Sequence, residues 1–228
     1  MKKLFVGLLV ALLVISAFAS TVLAEPKEKE PIDSVTLIHY IDGRVKLVGG
    51  GSCSKLLGVK WGILPVNYVI NPTNPQNLPE VFIKTSIFDS AEEWDRWTSK
   101  ELFNNNYEIN YNVKWGEADN KNTYSFGNYP QSGVIAVTTY WFTRQSKKLV
   151  EYDVMFDTDF RWGDATTDHT VMDLQTIALH ETGHGVGLAD VYNRACSNVV
   201  MYGYGDYGEV KRTLAQSDIA GLRTMYGI

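Results

Sequence analysis

His180-Glu181-Thr182-Gly183-His184-Gly185-Val186-Gly187-Leu188-Ala189-Asp190 decides the reading of this 228-residue chain. Residues four apart share one face of an α-helix, so the spacing predicts a helix over 171–185 that aims both imidazoles at one point, with Glu181 beside them. Gly187 can adopt backbone angles other residues avoid, which lets the chain leave the helix sharply and turns Asp190 back toward the same point. Two imidazoles and one carboxylate suit zinc and leave a fourth tetrahedral position open, the condition for a catalytic rather than a structural site. A water there would be the nucleophile, its pKa lowered to about 7, and Glu181 is placed to accept its proton and pass it to a leaving amine. A His-Glu-x-x-His run arises by accident in about 0.4% of chains of this composition, before the glycine and aspartate are required. The other histidines, His39 and His169, stand isolated and read as surface or packing residues.

Ahead of this segment, apolar residues at three- and four-residue steps (Phe82, Ile83, Ile87, Ala91, Trp94, Trp97) predict an amphipathic helix over 80–102. Strands are expected at Pro65 to Ile70, Glu108 to Lys114, Val134 to Phe142 and Leu149 to Phe156, with the Asn/Gly/Tyr-rich stretch from Gly116 to Ser132 as loop. A weaker strand pair fits Val35 to Tyr40 and Arg44 to Val48, turned at Asp42-Gly43, and a last helix fits Leu214 to Tyr226. The sum is one α+β domain: a twisted mixed sheet packed on helices, a helix bearing the zinc ligands, and a small C-terminal part after Gly187.

With these residues in view, the chain resembles the metzincin zinc endopeptidases, and among them the matrixins, the family of the matrix metalloproteinases. The resemblance runs over residues 59 to 228. It includes Val59-Lys60-Trp61, Tyr68-Val69-Ile70, the Trp-bearing first helix, the run from Asp153 to Trp162, the Met-turn Val200-Met201-Tyr202, and the closing helix through Asp218-Ile219-Ala220-Gly221 to Tyr226-Gly227. It implies hydrolysis of internal peptide bonds, with His180, His184 and Asp190 holding zinc, Glu181 as general base and acid, and Met201 as an apolar floor that is not a ligand. It further implies that strand Val134 to Tyr140 is a sheet edge which a substrate joins by main-chain pairing, beside an apolar pocket next to the zinc. Tyr202 or Tyr204 could support the transition state, as a tyrosine does in some relatives.

Three positions depart from the family pattern. Asp190 replaces the usual third histidine; its negative charge makes the site less positive and a bound water less acidic. Met155 stands where a ligand of a second, structural zinc would be, and Phe160 where a calcium-binding glutamate would be, so the full structural ion set is not expected. Asp153, Asp157 and Asp159 could still hold one calcium ion through oxygen ligands. Family members are often kept latent by a pro-domain cysteine on the zinc; Cys53 lacks the flanking residues of that switch, and a disulfide with Cys196 is the preferred reading. Such a bridge would close a loop of over a hundred residues and contribute about 4 to 5 kcal/mol.

Composition agrees with an exported globular enzyme. Hydrophobic residues make up 45% and charged residues 21% of the chain, which excludes disorder, and a net charge of −5 with no basic block argues against a nucleic-acid partner. Residues 1–24, with Lys2 and Lys3 ahead of an apolar stretch and Ala24 before Glu25, have the layout of a secretory signal, the alternative being an uncleaved membrane anchor. Residues 25–58 form a leader or short pro-segment whose charged, Pro-bearing start (25–34) reads as flexible, and residues 59–228 the catalytic domain. A secreted monomer acting on peptide or protein substrates is expected. The rival reading is a non-catalytic exported peptide-binding protein that keeps the zinc site; a third is a surface module in which the helix is mere scaffolding.

Overall fold

The computed structural model describes residues 30–41 and 52–228, so the signal-like segment, most of the leader and the expected strand Arg44 to Val48 lie outside the described residues. In chain order the elements are β1 (Ile32–Ile41), β2 (Lys60–Trp61), β3 (Val69–Ile70), α1 (Glu80–Asp95), β4 (Glu108–Ile109), β5 (Thr123–Gly127), β6 (Val134–Thr143), β7 (Lys148–Asp157), β8 (Trp162–Gly163), β9 (Met172–Asp173), α2 (Leu174–Gly185), β10 (Tyr204–Gly205) and α3 (Gln216–Tyr226). One mixed sheet runs β10-β1-β6-β7-β5-β3-β4, with β2 joined to β7. β6 is antiparallel to both β1 and β7, whereas β5 is parallel to β7 and to β3. No helix among the described residues is long and apolar enough to cross a membrane.

The apolar stripe read from the sequence packs α1 against α2. Ile83, Ile87, Ala91 and Trp94 are buried, and the Trp94 indole N–H donates to the Leu179 carbonyl at 3.0 Å. α2 is buried along nearly its whole length, so its position is set by packing on both sides. It starts at Asp173, whose side chain accepts the Thr176 N–H at 3.0 Å, a cap that satisfies one of the free donors of the first turn. Arg212 pairs with the same carboxylate and neutralises its buried charge. At the other end Gly187 has φ +105, and a Cβ there would stand 2.5 Å from the Val59 carbonyl oxygen, so glycine is required both by conformation and by space. The last helical carbonyls are taken up by the Trp61 indole, on Gly185, and the Tyr226 hydroxyl, on Val186.

Several expectations need correction. The stretch 116–132 is not all loop: Thr123–Gly127 is a strand held in parallel between β3 and β7, with Tyr124 buried against Tyr68 and Tyr152 and Phe126 packed on Phe156 and Trp162, in a segment whose Asn/Gly content masks the pattern. The strand expected over Glu108 to Lys114 is reduced to Glu108–Ile109. Residues 32–34, the end of the start read as flexible, belong instead to β1, which pairs with β6 from Ile32 opposite Thr143 to Tyr40 opposite Val134. Consequently β6 is not a free edge. Thr36 and Thr139 hydroxyls hydrogen-bond across the pair at 2.7 Å, and Asp33 accepts two bonds from Arg144.

Met155 lies on the opposite face of the sheet in a small apolar cluster with Val134 and Val137, covered by Trp115 and Tyr129. Its thioether is sealed among apolar side chains. Neighbouring Asp153 is buried and accepts the Gly116 N–H at 2.8 Å and the Thr123 N–H at 3.1 Å. Burial pushes its carboxyl up to about 8, against the pull of the Gly116 donor and with help from the charge of Glu151. The folded chain therefore keeps a proton that the unfolded chain releases near pH 4, so stability should fall as pH rises from about 4 to about 8. Urea midpoints taken across that window at saturating zinc should show the fall, and Asp153→Asn should flatten it; an unaltered slope would assign the protons to other groups.

Candidate metal centre

α2 and the turn after it bring His180, His184 and Asp190 together. All three are buried, and their donor atoms lie within 4.8 Å of one another. His180 Nδ1 is 2.8 Å from the Val200 carbonyl and His184 Nδ1 is 2.9 Å from the Leu188 carbonyl; a carbonyl can only accept, so each ring donates from Nδ1 and turns Nε2 inward. The two Nε2 atoms stand 3.1 and 3.4 Å from Asp190 Oδ1. His180 Nε2 and Asp190 Oδ1 are buried without a hydrogen-bond partner among the described residues. Burial works against the charge on Asp190, but the facing imidazoles outweigh it and hold its carboxyl well below the usual range. At His184 burial is likewise outweighed, by Asp190, and the ring is lifted to about 9; at His180 burial and the neighbouring His39 lower it.

A model of the matrixin family matches residues 60–227. The chain belongs to the matrixins. The sequence is also 27% identical over 174 residues to stromelysin-1 of Mus musculus, a match covering 74% of this chain and 33% of the relative, so the chain spans about a third of that protein's length. Matrixins are zinc-dependent metalloendopeptidases, and the donor set fits zinc: two imidazole nitrogens and a carboxylate oxygen converge in a buried space, and His180 Nε2 and Asp190 Oδ1 have no hydrogen-bond partner among the described residues. The carbonyls of Val200 and Leu188 fix the ring orientations from behind, the supporting role such partners play around metal-binding histidines.

Glu181 sits one helical step from this matrixin centre, wholly buried. Its Oε2 accepts the Thr138 hydroxyl of β6 at 2.5 Å, and its Oε1 is 3.2 Å from His39 Nδ1. Burial favours the neutral acid, but the hydrogen bond from His39 and the charges of the imidazoles prevail and keep the carboxyl below its usual range. Thr138, His39 and Tyr192 are the residues that sequence reasoning missed. His39 is not at the surface: it is buried, with its ring centroid 3.9 Å from that of His180. The Tyr192 hydroxyl donates to Asp190 Oδ2 at 3.0 Å, and its ring packs edge-on against Tyr204. Only a tyrosine two residues beyond a suspected ligand hinted at the last of these; nothing local marked the other two.

Met201 is fully buried beneath the helix. Its backbone N–H and that of Val200 donate to Asp218 of α3, which holds this turn against α2. A Cβ at Gly183 would collide with Met201 Sδ and come within 2.7 Å of Trp94 Cζ2. Gly183→Ala should therefore cost about 2 kcal/mol even after alanine's helix preference is counted; equal urea midpoints for the two chains would show that Met201 yields freely. Cys53 and Cys196 are bonded to each other, with Cα atoms 5.3 Å apart, so Cys53 does not face the metal ligands. Asp153, Asp157 and Asp159 are not gathered into a group: Asp157 accepts the Tyr129 and Asp159 N–H groups, and Asp159 is exposed and bonded to Asn128.

Proposed function

We propose that this matrixin is an exported endopeptidase in which Glu181 is the general base and then the general acid. The observation that carries the reading is the convergence of His180, His184 and Asp190 beside a buried, ionised Glu181. Zinc bound by His180, His184 and Asp190 would polarise the scissile carbonyl and lower the pKa of an attacking water. Glu181 Oε1 takes the proton of that water and returns it to the leaving amine, while Thr138 fixes the other oxygen and so the direction in which the free lone pair points. Tyr192 keeps Asp190 in place through Oδ2, leaving Oδ1 aimed between the histidines. Met201 shapes the floor and excludes water from below. Export rests on the signal-like residues 1–24 and suits the Cys53–Cys196 bridge, since disulfides persist in oxidising compartments.

The test is cleavage of a mixed peptide library by the full chain, analysed by mass spectrometry after long incubation. Cuts within peptides should appear with zinc, vanish on chelation and return when zinc is restored. A chain that binds one zinc yet leaves every peptide whole, even with β1 loosened by substitution, would instead be the peptide-binding protein.

A further inference from the structure

β1 differs from the other long strands of the sheet. β6 and β7 are buried at most of their positions, whereas Ile32, Ser34, Val35 and Thr36 of β1 are exposed and His39 is the strand's one buried side chain. β1 lies between β6, to which it is antiparallel, and β10, to which it is parallel at Tyr40 and Ile41. The strand thus fills the groove between a sheet edge and the segment that follows the Met-turn, and one edge of that groove is the strand expected to receive substrate. A guest held by main-chain pairing along an edge, with one side chain sunk in a pocket, is how extended peptides bind to sheets.

The sunk side chain enters the centre itself. His39 Nδ1 reaches Glu181 Oε1 at 3.2 Å, and its ring lies against His180. A Cβ built on Gly205 would stand 3.3 Å from His39 Nε2, 3.3 Å from Ile135 and 3.4 Å from Ile177, so the imidazole tip comes close to β10 at a point that the two isoleucines also reach. Its Nε2 is buried without a hydrogen-bond partner among the described residues, and His39, His180 and Glu181 together form a second group of converging donor atoms. A buried ring with an unpartnered nitrogen, touching the proposed base and one proposed ligand of the zinc, is poorly explained as packing alone.

We propose that β1 is an internal occupant of the substrate groove and that His39 is its plug, holding the peptidase latent until β1 is displaced. The inference rests on the zinc-peptidase reading for what it inhibits, but not for what can be measured. Because the occupant is part of the same chain, it competes at a high effective concentration despite its mostly exposed face. Release requires only that β1 leave β6 and β10; the domain after residue 52 keeps its sheet and its disulfide.

Zinc-loaded full chain, His39→Ala and Leu37→Pro would be compared by hydrogen exchange and by binding of a fluorescein-labelled synthetic peptide with the sequence of residues 32–41. Leu37→Pro removes an amide within the strand and leaves the metal centre untouched. In both variants the exposed-side amides of β6 should exchange at least tenfold faster while those of β5 keep their protection, and the labelled peptide should bind at least tenfold more tightly than to the unaltered chain. Library cleavage should rise by a similar factor at equal zinc content. Exchange and peptide binding within twofold of the unaltered chain in both variants would overturn the proposal, as would loss of protection throughout the sheet, which would make β1 a structural strand. A groove that opens yet cuts nothing would keep the occupant and remove the peptidase; equal cleavage with and without the plug would do the reverse.

Discussion

Glu181→Ala is expected to lower peptide turnover about a thousandfold while one zinc remains bound and the fold is intact, since a positioned general base contributes roughly 10²–10⁴ in rate. The carboxylate is not one of the three converging ligands, and its contacts are to Thr138 and His39 rather than to the backbone of α2. Alanine is a better helix former than glutamate, so the helix should persist. The structural cost is confined to a Thr138 hydroxyl and a His39 N–H left without their partner, about 1–3 kcal/mol for each such buried group. The rate is best compared in a Leu37→Pro background, where access to the groove does not limit it. Zinc content, circular dichroism and turnover together decide the matter: a variant that loses zinc or structure along with activity would make Glu181 a structural residue.

The second large effect concerns the bridge. Cys53 and Cys196 are separated by 143 residues, so removing the bond with Cys53→Ser and Cys196→Ser frees a long loop in the unfolded chain. The chain-entropy account places the loss at about 4–5 kcal/mol. With a urea slope of about 2–3 kcal/mol per M, the midpoint should drop by about 2 M. Local contacts reinforce the bond: the Leu57 N–H donates to the Gly187 carbonyl and the Ala189 N–H to the Lys55 carbonyl, tying the segment after Cys53 to the turn that carries Asp190. Zinc affinity should accordingly fall with stability. A midpoint shift under about 0.5 M would mean that these backbone bonds suffice and that the unfolded chain gains little freedom.

The convergence of His180, His184 and Asp190 was legible from residue order alone because its geometry is local. A four-residue spacing on a helix, a glycine able to take a positive φ and an aspartate three residues on are enough to bring three donors together, and the helix, the sharp exit at Gly187 and the convergence all stand in the structure. Amphipathic periodicity likewise marked α1, which ends at Asp95, seven residues inside the expected limit; the last helix, α3, begins at Gln216, two residues inside its own. The Cys53–Cys196 pair was favoured by count and by the inferred compartment, not by any contact the sequence displays.

What sequence did not reveal is long-range. β5 was hidden because a strand held between two neighbours needs no alternating pattern, and its Asn- and Gly-rich flanks read as loop. His39 was set aside because no other ligand type stands near it in the chain; it meets Glu181 only because β1 enters the sheet 142 residues away and in one register. Thr138 is one of several Thr residues on β6 and becomes a partner of Glu181 only through the packing of β6 under α2. The sequence by itself determined the helix that brings His180 and His184 to one point, because helical neighbours are set by spacing; tertiary structure alone decided what surrounds Glu181 and which strand pairs with β6, because strand partners are chosen by the fold as a whole.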